Sequence, residues 1–288
     1  MRPGKTAEDP FGAFIDEGRC YELRETPPRK WQNVHYSHFG DTRFMGCIFS
    51  SGDGYTFHVM PDGEKVSLSG HESKCLYVRD NENNLTFCPF ESPVPTPVEE
   101  KWVRYEAAKT VLYSACDEIE VHQRVFVPRN EKAEVWTVTV NNRSSRKRSI
   151  SVYAYVDFQF GGNYVVGIHP EIGGVFAEKY WTKRPDHPQK GFLITLNHFH
   201  AATGRRDDFL RQDLSKSTPL IADGWELNNK PAHGYHARGI VEARISLEAG
   251  KSDRIDFLLG HAMSVEEVKN LRSRLTPEGL DERCREQE

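Results

Sequence analysis

A glycine-rich stretch near the middle of the chain carries side chains that could bind a ligand or transfer a proton. It reads FQFGGNYVVGIHPEIGG and places the imidazole of His169 two residues before the carboxylate of Glu171. Such groups bind sugar hydroxyls or move protons, and loops after strands often carry binding residues. A single carboxylate lacks the second group that acid–base catalysis needs, so a structural loop is the competing interpretation. We predict His169 and Glu171 as substrate-binding candidates.

A second set of candidates combines aromatic rings with polar groups, the composition of carbohydrate sites. Tyr153 and Tyr155 lie on one face of a predicted strand, and Trp181 follows later in the chain. The polar residues of this set are Asp157, Lys183 and Arg184. The pattern favours Tyr153, Tyr155 and Trp181 as sugar contacts. An exposed sheet face also carries such residues without any ligand, and this alternative stays open.

Metal and nucleophile chemistry has little support in the sequence. His198 and His200 share one face of an extended segment, but two ligands without a nearby third indicate a metal site only weakly. No G-x-S-x-G, H-E-x-x-H or P-loop motif is present. The Gly-Asp-Gly at 52–54 is typical of a hairpin turn. We predict no catalytic residue, metal ligand or cofactor in this chain.

The elements that must position these residues are mainly strands. From about Val34 to Leu259 the hydrophobic period is two residues, as in SISVYAYVDFQF, which predicts a half-buried strand with a polar, tyrosine-bearing face. Short strands punctuated by glycine, proline and asparagine predict an all-β fold, a large antiparallel sandwich of two sheets. Further strands are predicted at residues 42–50, 55–61, 75–79, 101–106, 110–115, 175–182, 191–196, 239–247 and 252–259.

The end of the chain has a helical period. Ser264 is the expected N-cap, Glu267 completes a capping box, and apolar residues recur at helical spacing up to Leu275. The apolar stripe of this short helix is expected to seek a partner surface. The charged tail TPEGLDERCREQE is expected to have no core of its own. The predicted divisions are an N-terminal extension (1–33), a sandwich domain (34–262), and the start of a linker helix with the tail (263–288).

Composition and charge restrict the class of partner. The 288 residues include 38% hydrophobic and 28% charged residues, which is typical of a globular protein. A net charge of −4 gives no basic field for nucleic acid or an anionic membrane. Six cysteines form no C-x-x-C pair, and no apolar run of about 18 residues occurs. The sequence predicts a soluble, cytoplasmic protein without nucleic-acid or membrane partners.

Several separated segments share their order and spacing with one known family over roughly Phe39 to Gly260. They are SSGDGYTFHV, CLYVRDNENNLTFCP, the run from VHQRVFVP to SVYAYVDF, and ISLEAGKSDRIDFLLG. Together they resemble the N-terminal domain of the cellobiose and chitobiose phosphorylases, glycoside hydrolase family 94, formerly grouped as glycosyltransferase family 36. The resemblance implies a β-supersandwich of the galactose-mutarotase-like type. It also implies inverting phosphorolysis of β-glucosides with inorganic phosphate as co-substrate.

The resemblance also bears on the glycine-rich stretch. In the cellobiose branch, an Asn-Phe-Gln-Arg motif reaches the acceptor sugar in the partner subunit of a dimer, and the matching residues here are Asn163-Tyr164-Val165-Val166. Valine has no side-chain hydrogen-bonding group, so it cannot replace the arginine guanidinium or the glutamine amide in a contact with a sugar hydroxyl. Asn163 is therefore a substrate-binding candidate by resemblance. The shorter loop GIHPEIGG resembles the branch of cyclic β-1,2-glucan-processing relatives.

Three interpretations of function stay open. In the family, the acid that protonates the leaving oxygen lies in a following (α/α)6 barrel, so the first interpretation is a domain that lacks this barrel and is inactive alone. It predicts an exposed apolar patch where the barrel and the helix would pack. The second is a free-standing sugar-binding module, and the third is a mutarotase-like epimerase. The expected partners are a β-glucan or β-disaccharide, a barrel domain or partner chain, and a second copy in a homodimer.

Overall fold

The computed structural model describes residues 9–95, 97–181 and 187–288. Within these ranges the chain forms nineteen strands and two α-helices. In chain order they are β1 (Gly12–Ile15), β2 (Cys20–Leu23), β3 (Gln32–Phe39), β4 (Thr42–Phe49), β5 (Gly54–Val59), β6 (Lys65–Asp80), β7 (Leu85–Phe87), β8 (Glu100–Tyr105), β9 (Thr110–Cys116), β10 (Ile119–Phe126), β11 (Ala133–Asn142), β12 (Arg148–Phe158), β13 (Tyr164–His169), β14 (Gly174–Lys179), β15 (Lys190–Thr195), β16 (Phe199–Arg205), β17 (Ala232–His233), β18 (Ala237–Leu247), β19 (Ser252–Gly260), α1 (Val265–Arg274) and α2 (Pro277–Arg285). No helix among the described residues is long and apolar enough to cross a membrane.

The strands form two large antiparallel sheets. One sheet has eleven strands in the spatial order β1-β2-β8-β9-β10-β11-β19-β15-β14-β13-β17. The other has eight strands, in the order β16-β18-β12-β6-β5-β4-β3 with β7 paired to β6. Alternate side chains of both sheets meet in one main core that includes Trp136, Val152 and Phe257. The predicted all-β fold with two antiparallel sheets is confirmed.

The strands predicted from the two-residue period are present, and others were missed. β1 and β2 precede residue 34 and belong to the eleven-stranded sheet, so strands begin inside the stretch that we predicted as an N-terminal extension. β6 spans 16 residues, although we predicted only 75–79. β13 lies in the glycine-rich stretch where we predicted a loop. Its pattern was hidden because glycines both precede and interrupt it.

The outer face of the eight-stranded sheet is covered by residues 206–231. Tyr153 and Tyr155 of β12 are buried there in a cluster with Phe209, Ile221 and Leu227. The prediction that β12 has a solvated, tyrosine-bearing face was therefore wrong. The covering segment lies more than fifty residues later in the chain, so the local pattern of β12 contains no trace of it.

The two helices cover part of the outer face of the eleven-stranded sheet. The predicted cap of α1 is confirmed, because Ser264 Oγ accepts a hydrogen bond from the Glu267 N–H at 3.2 Å. Val268 and Leu271 then pack on sheet residues such as Phe126 and Leu258. The apolar stripe of α1 is thus buried against its own sandwich.

The charged tail forms α2, so the expectation that it has no core was wrong. Leu280 and Cys284 are buried in the same cluster as α1. They are four residues apart and share one helix face. The charged residues point elsewhere and form ion pairs, including Asp281 with Arg124 and Arg254. Two apolar residues therefore suffice to dock this short helix.

Strand β3 is a free edge of the eight-stranded sheet. Two of its aromatic side chains, Tyr36 and Phe39, are exposed. The two residues are three positions apart, so they project from opposite faces of the strand. The apolar patch that the sequence predicts for a barrel contact stays a prediction.

A buried ion pair connects the two sheets. Lys74 Nζ of β6 donates to Glu134 Oε2 of β11 at 2.6 Å and to Thr56 Oγ1 of β5 at 3.0 Å. The side chains of Lys74 and Glu134 are 1% and 0% exposed. Burial lowers the pKa of the Lys74 amine, while the Glu134 carboxylate acts in the opposite direction. The pair is a polar link inside an apolar core.

Removal of one partner of this pair is expected to destabilise the fold. Lys74→Met leaves the Glu134 carboxylate buried without its cation and should lower the free energy of unfolding by about 3–5 kcal/mol. The double variant Lys74→Met, Glu134→Leu should recover most of this loss, because apolar replacement of a whole buried pair is often neutral. Urea denaturation followed by circular dichroism measures both. A single variant as stable as the parent would contradict the prediction.

Two buried histidines pack against each other near the end of β19. The ring centroids of His58 and His261 are 4.7 Å apart. Burial lowers the pKa of His58 to about 3 and that of His261 to about 4. Neither ring nitrogen of His58 has a hydrogen-bond partner among the described residues. Both rings are therefore neutral at pH 7.

These histidines should make the fold less stable in acid. Between about pH 6.5 and pH 4 the unfolded chain binds protons that the native rings do not, so the free energy of unfolding falls as pH falls, by about 1.4 kcal/mol per histidine and pH unit. His58→Phe should remove the contribution of one histidine from this slope. It should not lower the free energy of unfolding at pH 7, because it removes a buried polar group that has no hydrogen-bond partner. Urea titrations across this pH range measure the slope. Equal slopes for parent and variant would refute the assignment.

Candidate carbohydrate-binding surface

The hairpin of β13 and β14 positions four of the predicted site residues in two separate places. Its register pairs Tyr164 with Lys179 at one end and His169 with Gly174 at the other. Asn163 and Trp181 lie beyond the first end, and His169 and Glu171 lie at the second. At about 3.3 Å per residue, the strand separates the two places by roughly 17–20 Å. The candidates therefore do not form one site.

Three exposed aromatic rings stand near the first end of the hairpin. The Tyr180 N–H donates to the Asn163 carbonyl at 3.3 Å, which fixes the chain beside Trp181. Tyr180, Trp181 and Tyr235 are 63%, 65% and 77% exposed, so their rings are open to solvent. The Tyr180 ring stacks on His233 of β17 with centroids 6.1 Å apart, and its hydroxyl lies 3.1 Å from His233 Nδ1. We call Asn163, Tyr180, Trp181, His233 and Tyr235 the aromatic edge.

Gly162 allows the Tyr235 ring to join the aromatic edge. A Cβ atom at position 162 would lie 2.9 Å from the Tyr235 hydroxyl oxygen. The neighbouring Gly161 has a φ of 73°, the left-handed conformation that turns the chain after β12. The bend at these two glycines places Asn163 beside the rings.

Charged groups lie behind the aromatic edge. Arg238 Nε forms an ion pair with Asp157 Oδ1 at 3.1 Å, and another guanidinium nitrogen donates to the Tyr235 carbonyl at 3.1 Å. Burial raises the pKa of the Asp157 carboxyl, and Arg238 opposes this shift. The aromatic edge thus combines rings with amide, imidazole and hydroxyl groups, which is the composition that binds sugars.

The turn that carries His169 and Glu171 contacts α1 through its backbone. His169 Nδ1 and Glu171 Oε1 lie 3.1 Å apart, and Arg272 of α1 donates to the backbone carbonyls of Glu171 and Leu196 at 3.2 and 3.1 Å. The pKa of Glu171 is lowered by the hydrogen bond from its own backbone N–H, and further by His169 and Lys269. The turn between β13 and β14 therefore holds α1 on the sheet.

The two tyrosines of β12 are not accessible. The Phe209 ring packs against both, with centroids 6.0 Å from Tyr153 and 5.7 Å from Tyr155. Burial raises the pKa of Tyr153 to about 12. Neither ring can stack on a sugar in this structure. Lys183 and Arg184, the polar candidates after Trp181, lie outside the described residues.

The histidine pair that the sequence suggested as metal ligands does not form a cluster with a third ligand in the described part of the chain. His198 Nε2 is instead paired with Asp253 at 3.3 Å. A three-residue group of ligand type is formed by Asp62, Glu64 and His187. Both ring nitrogens of His187 lie 3.0 Å from these carboxylates, so they already have hydrogen-bond partners.

Sequence reasoning found Asn163 and Trp181 but missed the other members of the aromatic edge. Tyr180, His233 and Tyr235 lie in the short runs KYW and HGYH, outside any clear strand pattern. The available signal was the concentration of aromatic and imidazole rings next to glycine. Their proximity depends on the pairing of β13 with β17, residues far apart in sequence.

The two large antiparallel sheets define the chain as a β-supersandwich. It matches the family model described as glycosyl hydrolase 94, supersandwich domain, over residues 20–277, and the chain belongs to this family. The match begins at the first residue of β2 and ends at the first residue of α2.

Proteins similar to this chain include carbohydrate-active enzymes. N,N'-diacetylchitobiose phosphorylase of Vibrio proteolyticus is 25% identical over 87% of this chain, which covers 33% of that protein. The cyclic β-(1,2)-glucan synthase NdvB of Rhizobium meliloti is 24% identical over 90% of this chain, which covers 10% of that protein. The chain thus spans about a third of the phosphorylase relative.

A solved structure supports the fold. A bacterial glucoamylase complexed with acarbose aligns over 93% of this chain and 40% of its own chain, with a TM-score of 0.55 and 9% sequence identity. This likeness concerns the fold alone.

The cover over the two tyrosines should contribute strongly to stability. Phe209→Ala removes a buried ring and should lower the free energy of unfolding by about 3–5 kcal/mol. Leu214→Ala, at an exposed position of the same segment, should change it by less than about 0.5 kcal/mol. Denaturant titration compares the two. A small effect of Phe209→Ala would mean that the segment opens easily and that Tyr153 and Tyr155 are accessible after all.

Proposed function

We propose that this chain is the non-catalytic supersandwich domain of a phosphorylase-type protein and that its aromatic edge contacts a β-glucan or β-disaccharide. The observation that carries the proposal is the grouping of three open rings with Asn163 and His233 at one edge of the sheet. Asn163 also occupies the position that matches the acceptor-sugar motif of the cellobiose branch. Exposed aromatic groups of this kind usually have a binding role.

The carboxyl groups support a domain that is inactive alone. The general acid that cleaves a glycosidic bond needs a raised pKa and access to the leaving oxygen. Among the described residues, burial raises the pKa of the carboxyl groups of Asp157 and Asp256. Each is paired with an arginine, Arg238 or Arg254, which favours the ionised form. We therefore propose that an (α/α)6 barrel, in the same protein or in a partner chain, supplies the acid, with inorganic phosphate as co-substrate.

A free-standing sugar-binding module is the second candidate function. It is favoured because every member of the aromatic edge belongs to this chain, so sugar binding requires no residue from a barrel. A mutarotase-like epimerase has less support. Its histidine and carboxylate must face each other across a sugar ring. Two exposed pairs here, His169 with Glu171 and His236 with Asp207, are instead in direct contact at 3.1 and 3.2 Å.

We propose a cytoplasmic location and a homodimer for the whole protein. The location is supported by the six cysteines, which are all buried and free of disulfide bonds. The homodimer is an expectation from the family, in which the segment that matches Asn163 reaches the acceptor sugar of the partner subunit.

Calorimetric titration with glucose, cellobiose, sophorose and phosphate tests the proposal, together with a phosphate-release assay. We expect saturable binding of a disaccharide and no turnover. Trp181→Ala and Tyr235→Ala should each weaken binding about two- to tenfold, because stacking on one ring contributes about 0.5–1.5 kcal/mol. Trp225→Ala, at another exposed tryptophan, is the matched control and should have no effect.

Two outcomes would contradict the proposal. Phosphorolysis by this chain alone would place the acid within it. Binding that is insensitive to both Trp181→Ala and Tyr235→Ala would exclude the aromatic edge as the sugar surface.

A further inference from the structure

A cavity of about 240 Å³ lies where α1 meets the sandwich, apart from the aromatic edge. Its walls come from the end of β3, the turn before β11, the residues after β19 and one face of α1. The lining positions of α1 are 267, 270, 271 and 274, which repeat at helical spacing. Four parts of the chain thus enclose one space, and only the last two of them, the residues after β19 and α1, are neighbours in sequence.

The charged side chains around this cavity compensate each other in pairs. Lys132 Nζ lies 2.9 Å from Glu267 Oε1, and an Arg274 guanidinium nitrogen lies 3.2 Å from Glu131 Oε2. These two cations and two anions leave the lining itself without net charge. Arg283 of α2, outside the lining, also pairs with Glu131, at 3.3 Å from Oε1. The lining therefore favours a neutral ligand that forms hydrogen bonds.

Two polar groups at the cavity have no partner within the described ranges. The backbone carbonyl of Asn270 accepts a hydrogen bond from the Ser273 hydroxyl. The side-chain amide of Asn270 makes no hydrogen bond to the described residues. His261 Nε2 donates to the Pro188 carbonyl at 3.2 Å, and its buried Nδ1 is unpartnered. Because burial keeps this imidazole neutral, Nδ1 is a hydrogen-bond acceptor. An unpartnered buried atom such as His261 Nδ1 often indicates a bound molecule, whereas the Asn270 amide is exposed and free to bind a ligand at the cavity.

The rest of the lining is apolar. The Phe39 ring is exposed at one side, with the Lys132 ammonium 5.0 Å from its centroid, and Ala262 and Leu271 complete the surface. The volume corresponds to about eight water molecules at liquid density, which is room for one sugar ring and not for an oligosaccharide. A ring face beside carboxylate, amide and imidazole groups is the chemistry of a sugar site.

We propose that this cavity binds one neutral monosaccharide unit, with its apolar face on Phe39 and its hydroxyls on Asn270, Glu131 and Glu267. The ligand joins β3 and β11 to α1, so it should stabilise the docked position of the helix. This site is separate from the aromatic edge and does not rest on the function proposed for that surface.

Calorimetry and thermal unfolding with glucose, galactose and N-acetylglucosamine test this inference, with inorganic phosphate and gluconate as charged comparisons. We expect a neutral sugar to bind with a Kd of about 1 mM and to raise the Tm. Phe39→Ala and Asn270→Leu, both at exposed positions, should weaken binding about tenfold while the circular dichroism spectrum is unchanged. Lys269→Gln, on another face of α1, is the matched control and should bind as the parent does.

The aromatic-edge variant Trp181→Ala separates the two sites. Binding to the cavity should be unaffected by Trp181→Ala, whatever that variant does to disaccharide binding. The inference is overturned if no neutral sugar binds or raises the Tm, or if phosphate or gluconate binds in preference. It is also overturned if binding persists in Phe39→Ala and Asn270→Leu.

Discussion

The ion pair between Lys74 and Glu134 constrains the whole sandwich, because a charge between two sheets must meet its partner or remain unpaired in an apolar core. The strands around the pair contain glycine where space is needed. A Cβ at position 46 would lie 2.7 Å from the Glu134 carboxyl. One at position 54 would lie 2.0 Å from the Cys47 carbonyl oxygen and 2.8 Å from Lys74 Cε. The pair thereby restricts the residues of β4 and β5 and fixes how β6 faces β11.

The sequence reveals the fold class because strand periodicity is local. Successive residues of a strand face opposite sides, so the apolar inner face of β12 gives a period of two whatever covers its outer face. The outer cover of the sheets is different. Phe209 buries Tyr153 and Tyr155 from a distant segment, and Leu280 and Cys284 dock a helix that looks only charged in sequence. Such contacts leave no periodic signal in the strands that they cover.

The same distinction applies to the candidate sites. Trp181 could be proposed from its type and Asn163 from the family resemblance. The sequence does not show that β13 brings Asn163 to the rings and carries His169 away from them. The contact of Glu171 with α1 was also hidden in the sequence, because it is made by the backbone carbonyl, which accepts a hydrogen bond from Arg272. The turn that carries His169 and Glu171, two of the substrate-binding candidates, therefore also contacts α1. The cavity beside α1 depends on four segments and has no motif at all.

The free edge at β3 has a consequence for the isolated domain. Natural sheets usually protect an edge strand with lysine, proline or a bulge, which prevent a second chain from pairing with it. Residues Gln32–Phe39 contain no proline and no lysine, arginine, aspartate or glutamate, and Tyr36 and Phe39 project into solvent. Pairing with a second chain is therefore expected along this strand in concentrated solution, and any surface that shields β3 in a larger assembly also opposes aggregation there.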